Sequence, residues 1–154
     1  DACDILRPVY DDSAGVDGFV SLEVSPYLAH DTNGTMQEAR RLFQAVNRPN
    51  AFIKIPGTPA GVPAIEQMLY EGININVTLL FSIQSYEAVS QAYIRAMERR
   101  VAEGKREWPV VDPRGQRVVA RLGERHAVDL EIDHVPVRRA RAERRRIFCI
   151  ATGS

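Results

Sequence analysis

Three short segments rich in β-branched residues alternate with segments of helical periodicity, and this alternation limits the fold more than any other feature. Ala2 to Tyr10 places Ile5, Leu6 and Val9 at helical spacing, with Pro8 predicting a kink or a later start. Asp11 to Gly15 reads as a turn, Gly18 to Ser25 as a strand ended by Pro26, and Asp31 to Gly34 as a polar loop. Thr35 to Val46 carries Ala39, Leu42, Phe43 and Val46 on one helical face. Ala51 to Ile55 is a second strand. Pro59 to Tyr70 is a helix that Thr58 caps and Gly72 closes. Ile73 to Leu80 is a third strand, and a long helix over roughly 85–104 opens at Ser82 or Ser85 and ends at Gly104. The order α-β-α-β-α-β-α predicts parallel β/α units. After Gly104 the rhythm stops. Val118 to Leu122 and Val128 to Val137 read as short strands or a helix, Arg138 to Arg146 as a basic run and Ile147 to Ile150 as a short apolar stretch.

Each strand keeps one polar face. Val20, Leu22 and Val24 oppose Ser21, Glu23 and Ser25; Ile53 and Ile55 oppose Phe52 and Lys54; Ile73, Ile75, Val77 and Leu79 oppose Asn74, Asn76 and Thr78. A parallel sheet covered by helices on both sides shows near-continuous apolar strands instead. A barrel accounts for the pattern, because its outer face meets helices while its inner face carries chemistry toward the C-terminal strand ends. The competing reading is a half-exposed sheet with an ordinary solvated face. The fold expected is therefore α/β, a partial (β/α)₈ TIM barrel over residues 1–104, followed by a tail, 105–154, whose fold is not legible.

Lys54 lies inside the apolar run Phe52-Ile53-Lys54-Ile55-Pro56-Gly57-Thr58. Buried lysine is rare, and desolvation disfavours its charged form, freeing a lone pair for attack on a carbonyl. That is the requirement for a Schiff-base nucleophile. The structural alternative is a lysine at a strand end that snorkels to water or pairs with a carboxylate. Glu23, Asn76 and Thr78 share its expected face. A carboxylate such as Glu23 can hold the water that shuttles protons during carbinolamine dehydration, Thr78 can anchor that water, and Asn76 can bind a substrate hydroxyl. Singly, each has an ordinary reading: Glu23 paired with an arginine, Asn76 capping a turn, Thr78 a common strand residue.

Composition excludes several classes. The 154 residues are 45% hydrophobic and 26% charged, as in one globular domain. The formal net charge of +0 provides no global field for nucleic acid or membrane. Cys3 and Cys149, the only cysteines, make neither a disulfide framework nor a metal-ligand spacing. No apolar run reaches transmembrane length, and the opening residues lack a signal-peptide pattern. The expectation is a soluble cytoplasmic protein without metal or cofactor. The chain opens at Asp1 without methionine, as a fragment or a processed product does.

The segments Phe19-Val20-Ser21-Leu22-Glu23-Val24-Ser25-Pro26, Phe52 to Thr58, and Gly72-Ile73-Asn74-Ile75-Asn76-Val77-Thr78-Leu79-Leu80-Phe81-Ser82 resemble the third, fourth and fifth strands of transaldolase, in its long bacterial form. The resemblance covers roughly residues 1–104. It implies a (β/α)₈ barrel that moves a dihydroxyacetone unit between sugar phosphates in the pentose phosphate pathway, with neither cofactor nor metal. It also implies that Lys54 forms the Schiff base, that Glu23 and Thr78 hold the catalytic water, and that Asn76 contacts substrate hydroxyls. Another class I aldolase and a non-catalytic remnant remain as alternatives.

The departures are specific. The family's first strand carries an acid/base aspartate and its second a threonine and an asparagine, and none has a counterpart here. Asp4, Asp11 and Asp12 fall in the opening helix and turn. A sixth strand with a phosphate-binding serine and arginine is not legible after Gly104. Residues 1–105 carry 9 basic and 13 acidic side chains and residues 106–154 carry 11 and 7, so a net of −4 gives way to +4, and every basic residue of the tail is arginine. A frameshifted reading of GC-rich DNA has this character; the flanking DNA read in all three frames checks it, and absence of a sixth strand in another frame refutes it. A genuine basic tail that binds phosphate or nucleic acid is the rival reading, but no nucleic-acid module or aromatic interleaving accompanies it. Half a barrel leaves strand edges and core exposed, so the chain is expected to aggregate or form a homo-oligomer. A sharp monomer peak in gel filtration with cooperative melting would count against that.

Overall fold

Valine and isoleucine at alternate positions give this chain its strands, and each strand directs one apolar row toward the helix that follows it. A computed structural model describes residues 1–105, 111–112 and 148–150. The elements are α1 (Ala2–Asp12), β1 (Val20–Glu23), a 3₁₀ turn (Pro26–Leu28), α2 (Thr32–Val46), β2 (Ala51–Pro56), α3 (Gly61–Glu71), β3 (Ile75–Thr78), α4 (Ile83–Ala102), β4 (Val111–Asp112) and β5 (Phe148–Ile150). The strands form one parallel sheet in the order β4-β3-β2-β1-β5. The chain is thus α/β with a parallel sheet. The expectations for 118–122, 128–137 and 138–146 lie outside the described residues.

Leu22 and Val24 of the first strand region, Ile53 and Ile55 of β2, and Ile75 and Val77 of β3 form one apolar layer. It packs on Leu42 of α2, Ile65, Met68 and Leu69 of α3, and Val89 and Met97 of α4. The helices therefore cover the face that the alternation predicts. A smaller cluster of Cys3, Val20 and Ala51, with Leu6 and Val46, seats α1 beside the start of β1 and the end of α2. Arg40 of α2 binds Glu71 of α3 through two 2.7 Å bonds, which hold the Glu71 carboxyl below its ordinary range.

Several boundaries differ from expectation, each for a local reason. α1 starts at Ala2 despite Pro8 and continues through Asp11 and Asp12, which were expected in a turn. Arg7 Nε donates to Asp11 Oδ1 at 2.8 Å across one helical turn, which favours the extension. α2 begins at Thr32 rather than Thr35, because the Asp31 carboxylate accepts from the Gly34 N–H at 2.9 Å and caps it. α3 is assigned from Gly61, with Pro59 and Ala60 in a preceding turn. Ala60, not Thr58, holds the N-cap position and makes no side-chain cap bond; Thr58 instead fixes the turn before the helix, its Oγ1 accepting from the Gly61 N–H at 3.0 Å and donating to the Ala29 carbonyl at 2.6 Å. β3 is shorter than Ile73 to Leu80, since Leu79 adopts φ 61° and turns the chain out of the ladder. Ser82, not Ser85, caps α4, accepting from the Ser85 N–H at 3.1 Å.

Gly18 shows why the chain enters β1 as it does. Its φ of 80° suits glycine, and a Cβ there would collide with the Tyr10 amide nitrogen and the Leu6 carbonyl oxygen of α1. Backbone against backbone sets how closely α1 approaches the sheet.

Candidate active site

Parallel pairing converts three separate sequence patterns into one row. Glu23 of β1 lies opposite Lys54 of β2, and Lys54 lies opposite Asn76 of β3. Neighbours in register on a parallel sheet project to the same side, so the three side chains share the face turned from α2, α3 and α4. Lys54 Nζ stands 3.5 Å from Glu23 Oε2, with the two side chains 20% and 33% exposed. Thr78 pairs with Pro56 and therefore occupies the next row toward the strands' C-terminal ends, half-buried. The structure thus places all four residues named from the sequence on one face, three of them in a single row.

That face is not an ordinary solvated one. Ser21 is fully buried and Asn76 is 8% exposed. Asn76 Nδ2 donates to Ser21 Oγ at 2.9 Å, a bond between residues 55 positions apart that spans β2 from β3 to β1. Below the lysine, Phe52 packs on Phe19 with ring centroids 4.4 Å apart, and Tyr10 meets Phe19 edge-on at 5.2 Å. Phe52 is 2% exposed. The lysine therefore rises from an aromatic floor, flanked by a carboxylate and an amide. Low polarity beneath and hydrogen-bonding groups beside it suit an amine that must react with a carbonyl.

Ser21, Phe19 and Phe52 were not named as site residues from the sequence. Their alternation with Glu23 and Lys54 was legible, but their contacts depend on strand register. The ion pair also satisfies the structural alternative of a lysine paired with a carboxylate, so the contact alone does not assign a role. Asn74, also on the polar side of its strand, serves the backbone: its Nδ2 donates to the Pro49 and Ala51 carbonyls, each at 3.2 Å. Among the described residues no group of three or more His, Cys, Asp or Glu is arranged to hold a metal ion. Among the same residues no helix is long and apolar enough to cross a membrane.

The chain is similar in sequence to curated transaldolases. A Transaldolase 2 of a Nostoc species is 62% identical over 104 residues, which is 68% of this chain and 27% of that protein. A transaldolase of Thiobacillus denitrificans is 58% identical over 104 residues, 68% of this chain and 29% of that protein. A transaldolase of Mycobacterium bovis is 46% identical over 139 residues, covering 84% of this chain and 37% of that protein. The chain thus spans roughly a quarter to a third of the length of these relatives. The sequence profile of the Transaldolase/Fructose-6-phosphate aldolase family matches residues 1–127. With most of its length matched and a lysine-centred row on its sheet, this chain belongs to the transaldolase/fructose-6-phosphate aldolase family.

Proposed function

We propose that this chain carries the Schiff-base centre of a transaldolase, and that the whole protein closes a (β/α)₈ barrel around it. Residues 1–104 are the central β/α units of that barrel; beyond them Val111–Asp112 and Phe148–Ile150 add strands to the same sheet, and the family match continues to residue 127. The observation that carries the reading is the Glu23–Lys54–Asn76 row, with Lys54 Nζ 3.5 Å from the Glu23 carboxylate above a buried aromatic floor. The Lys54 amine attacks the ketone carbon of a ketose phosphate to give a carbinolamine. Loss of water then yields the Schiff base, with Glu23 and a water anchored by Thr78 carrying the proton. Retro-aldol cleavage of the bond between the carbons α and β to the iminium, with the β-hydroxyl proton passing to an acid/base group that has no counterpart in this chain, releases an aldose phosphate; the retained three-carbon enamine adds to a second aldose phosphate as that proton returns. Hydrolysis frees Lys54. Asn76 holds a hydroxyl of the ketose throughout. The substrates are sugar phosphates, and the reaction belongs to the cytoplasm.

Borohydride reduction tests this directly. The chain is incubated with fructose 6-phosphate, reduced, and mapped by peptide mass. Lys54 and Lys105 are the only lysines, so the assignment is nearly binary. Lys105 is bound to Glu103 at 2.8 Å beyond the end of α4 and is an internal control for unspecific reaction. A substrate-sized adduct on Lys54 and none on Lys105 is expected. Soluble protein without an adduct, or with equal labelling of both lysines, refutes the assignment.

A further inference from the structure

We infer that Ser21 is a positioning residue of this centre, tethering the Asn76 amide so that its other end meets a hydroxyl of the bound ketose. The inference rests on the proposed Schiff-base chemistry at Lys54. Its physical basis is the buried bond from Asn76 Nδ2 to Ser21 Oγ, 2.9 Å long, beside the lysine row. A serine hydroxyl both donates and accepts, so it can hold either end of an amide; what the bond fixes is the place of the Asn76 side chain beside the lysine row. With Nδ2 engaged by Ser21, the oxygen occupies the other side of the amide. An oxygen is the favourable end to present near a lysine that becomes a positive iminium, because it accepts from hydroxyls and is attracted to the cation. Without the Ser21 hydroxyl the amide loses this tether and can turn away from the ketose. Ser21 is fully buried and so acts through Asn76 rather than on the substrate.

The test uses the 154-residue chain with Ser21→Ala, Asn76→Ala and the double substitution, each trapped with borohydride across a range of fructose 6-phosphate concentrations. Ser21→Ala is expected to raise the half-saturating concentration about tenfold, and to add nothing further in the Asn76→Ala background. A merely structural tie would give the same non-additivity, so half-saturation decides: a structural loss lowers the amount trapped at every concentration and leaves the half-saturating concentration unchanged. Equal half-saturation in wild type and Ser21→Ala, or multiplicative losses in the double variant, overturns the inference. A second measurement needs no ketose: NMR hydrogen exchange of the Asn76 side-chain amide. It is expected to be protected in wild type and about tenfold faster or more in Ser21→Ala. An unprotected wild-type amide overturns the inference by itself. Failure of wild type to form any Lys54 adduct, with that amide protected, would instead remove the transaldolase reading and leave the Ser21–Asn76 bond as a structural tie.

Discussion

Lys54→Arg is expected to abolish adduct formation with fructose 6-phosphate while leaving the chain folded. Arginine keeps the positive charge and can keep the pairing with Glu23 that Lys54 makes at 3.5 Å. It cannot supply an amine lone pair, because the guanidinium stays protonated. The substitution therefore separates the two readings of a lysine in an apolar strand. If Lys54 serves only to pair with Glu23, arginine is tolerated and whatever carbonyl chemistry the chain shows continues. If Lys54 is the nucleophile, adduct formation falls by about 10³-fold or more, as when other covalent nucleophiles are removed. The readout is intact mass after borohydride reduction, with far-ultraviolet circular dichroism as the control for folding. Continued labelling of folded Lys54→Arg protein would show that the amine lies elsewhere.

Phe52→Ala is expected to lower stability by about 3–5 kcal/mol, the usual cost of emptying a buried aromatic site. Phe52 is 2% exposed and packs on Phe19 with centroids 4.4 Å apart. Its removal leaves a void beneath Lys54 that the flanking strands cannot close without losing ladder bonds. The readout is the denaturant midpoint at constant m-value. Phe81→Ala is the matched control. Phe81 is 88% exposed, so its truncation should stay within about 0.5 kcal/mol. Similar small losses for both would mean that the aromatic floor is not packed as described.

The polar face of each strand was readable because side chains alternate along a strand, a purely local rule. Glu23, Lys54, Asn76 and Thr78 were assigned to one side on that basis, and the structure places them there. Helix ends were less legible. Asp31 caps α2 and Ser82 caps α4 through short side-chain bonds. In the sequence Asp31 reads as part of a polar loop, and Ser82 and Ser85 read as alternative openings of the long helix. Leu79 reads as a strand residue, yet its positive φ closes β3, a backbone state that its side chain does not announce.

What this sequence determined by itself was the alternation of elements, the parity of each strand and the presence of a lysine where only apolar residues were expected. Those follow from interactions between residues a few positions apart. Tertiary structure alone decided the register that puts Glu23 beside Lys54 and Lys54 beside Asn76, and the 55-residue span of the Ser21–Asn76 bond. It likewise decided that Phe19, 33 positions before Phe52, would share the floor under the lysine. The reason is physical: a slip of one residue would turn every strand's apolar row away from α2, α3 and α4. Burial of that row on the helices selects the register, and the same register assembles the polar row on the other side of the sheet.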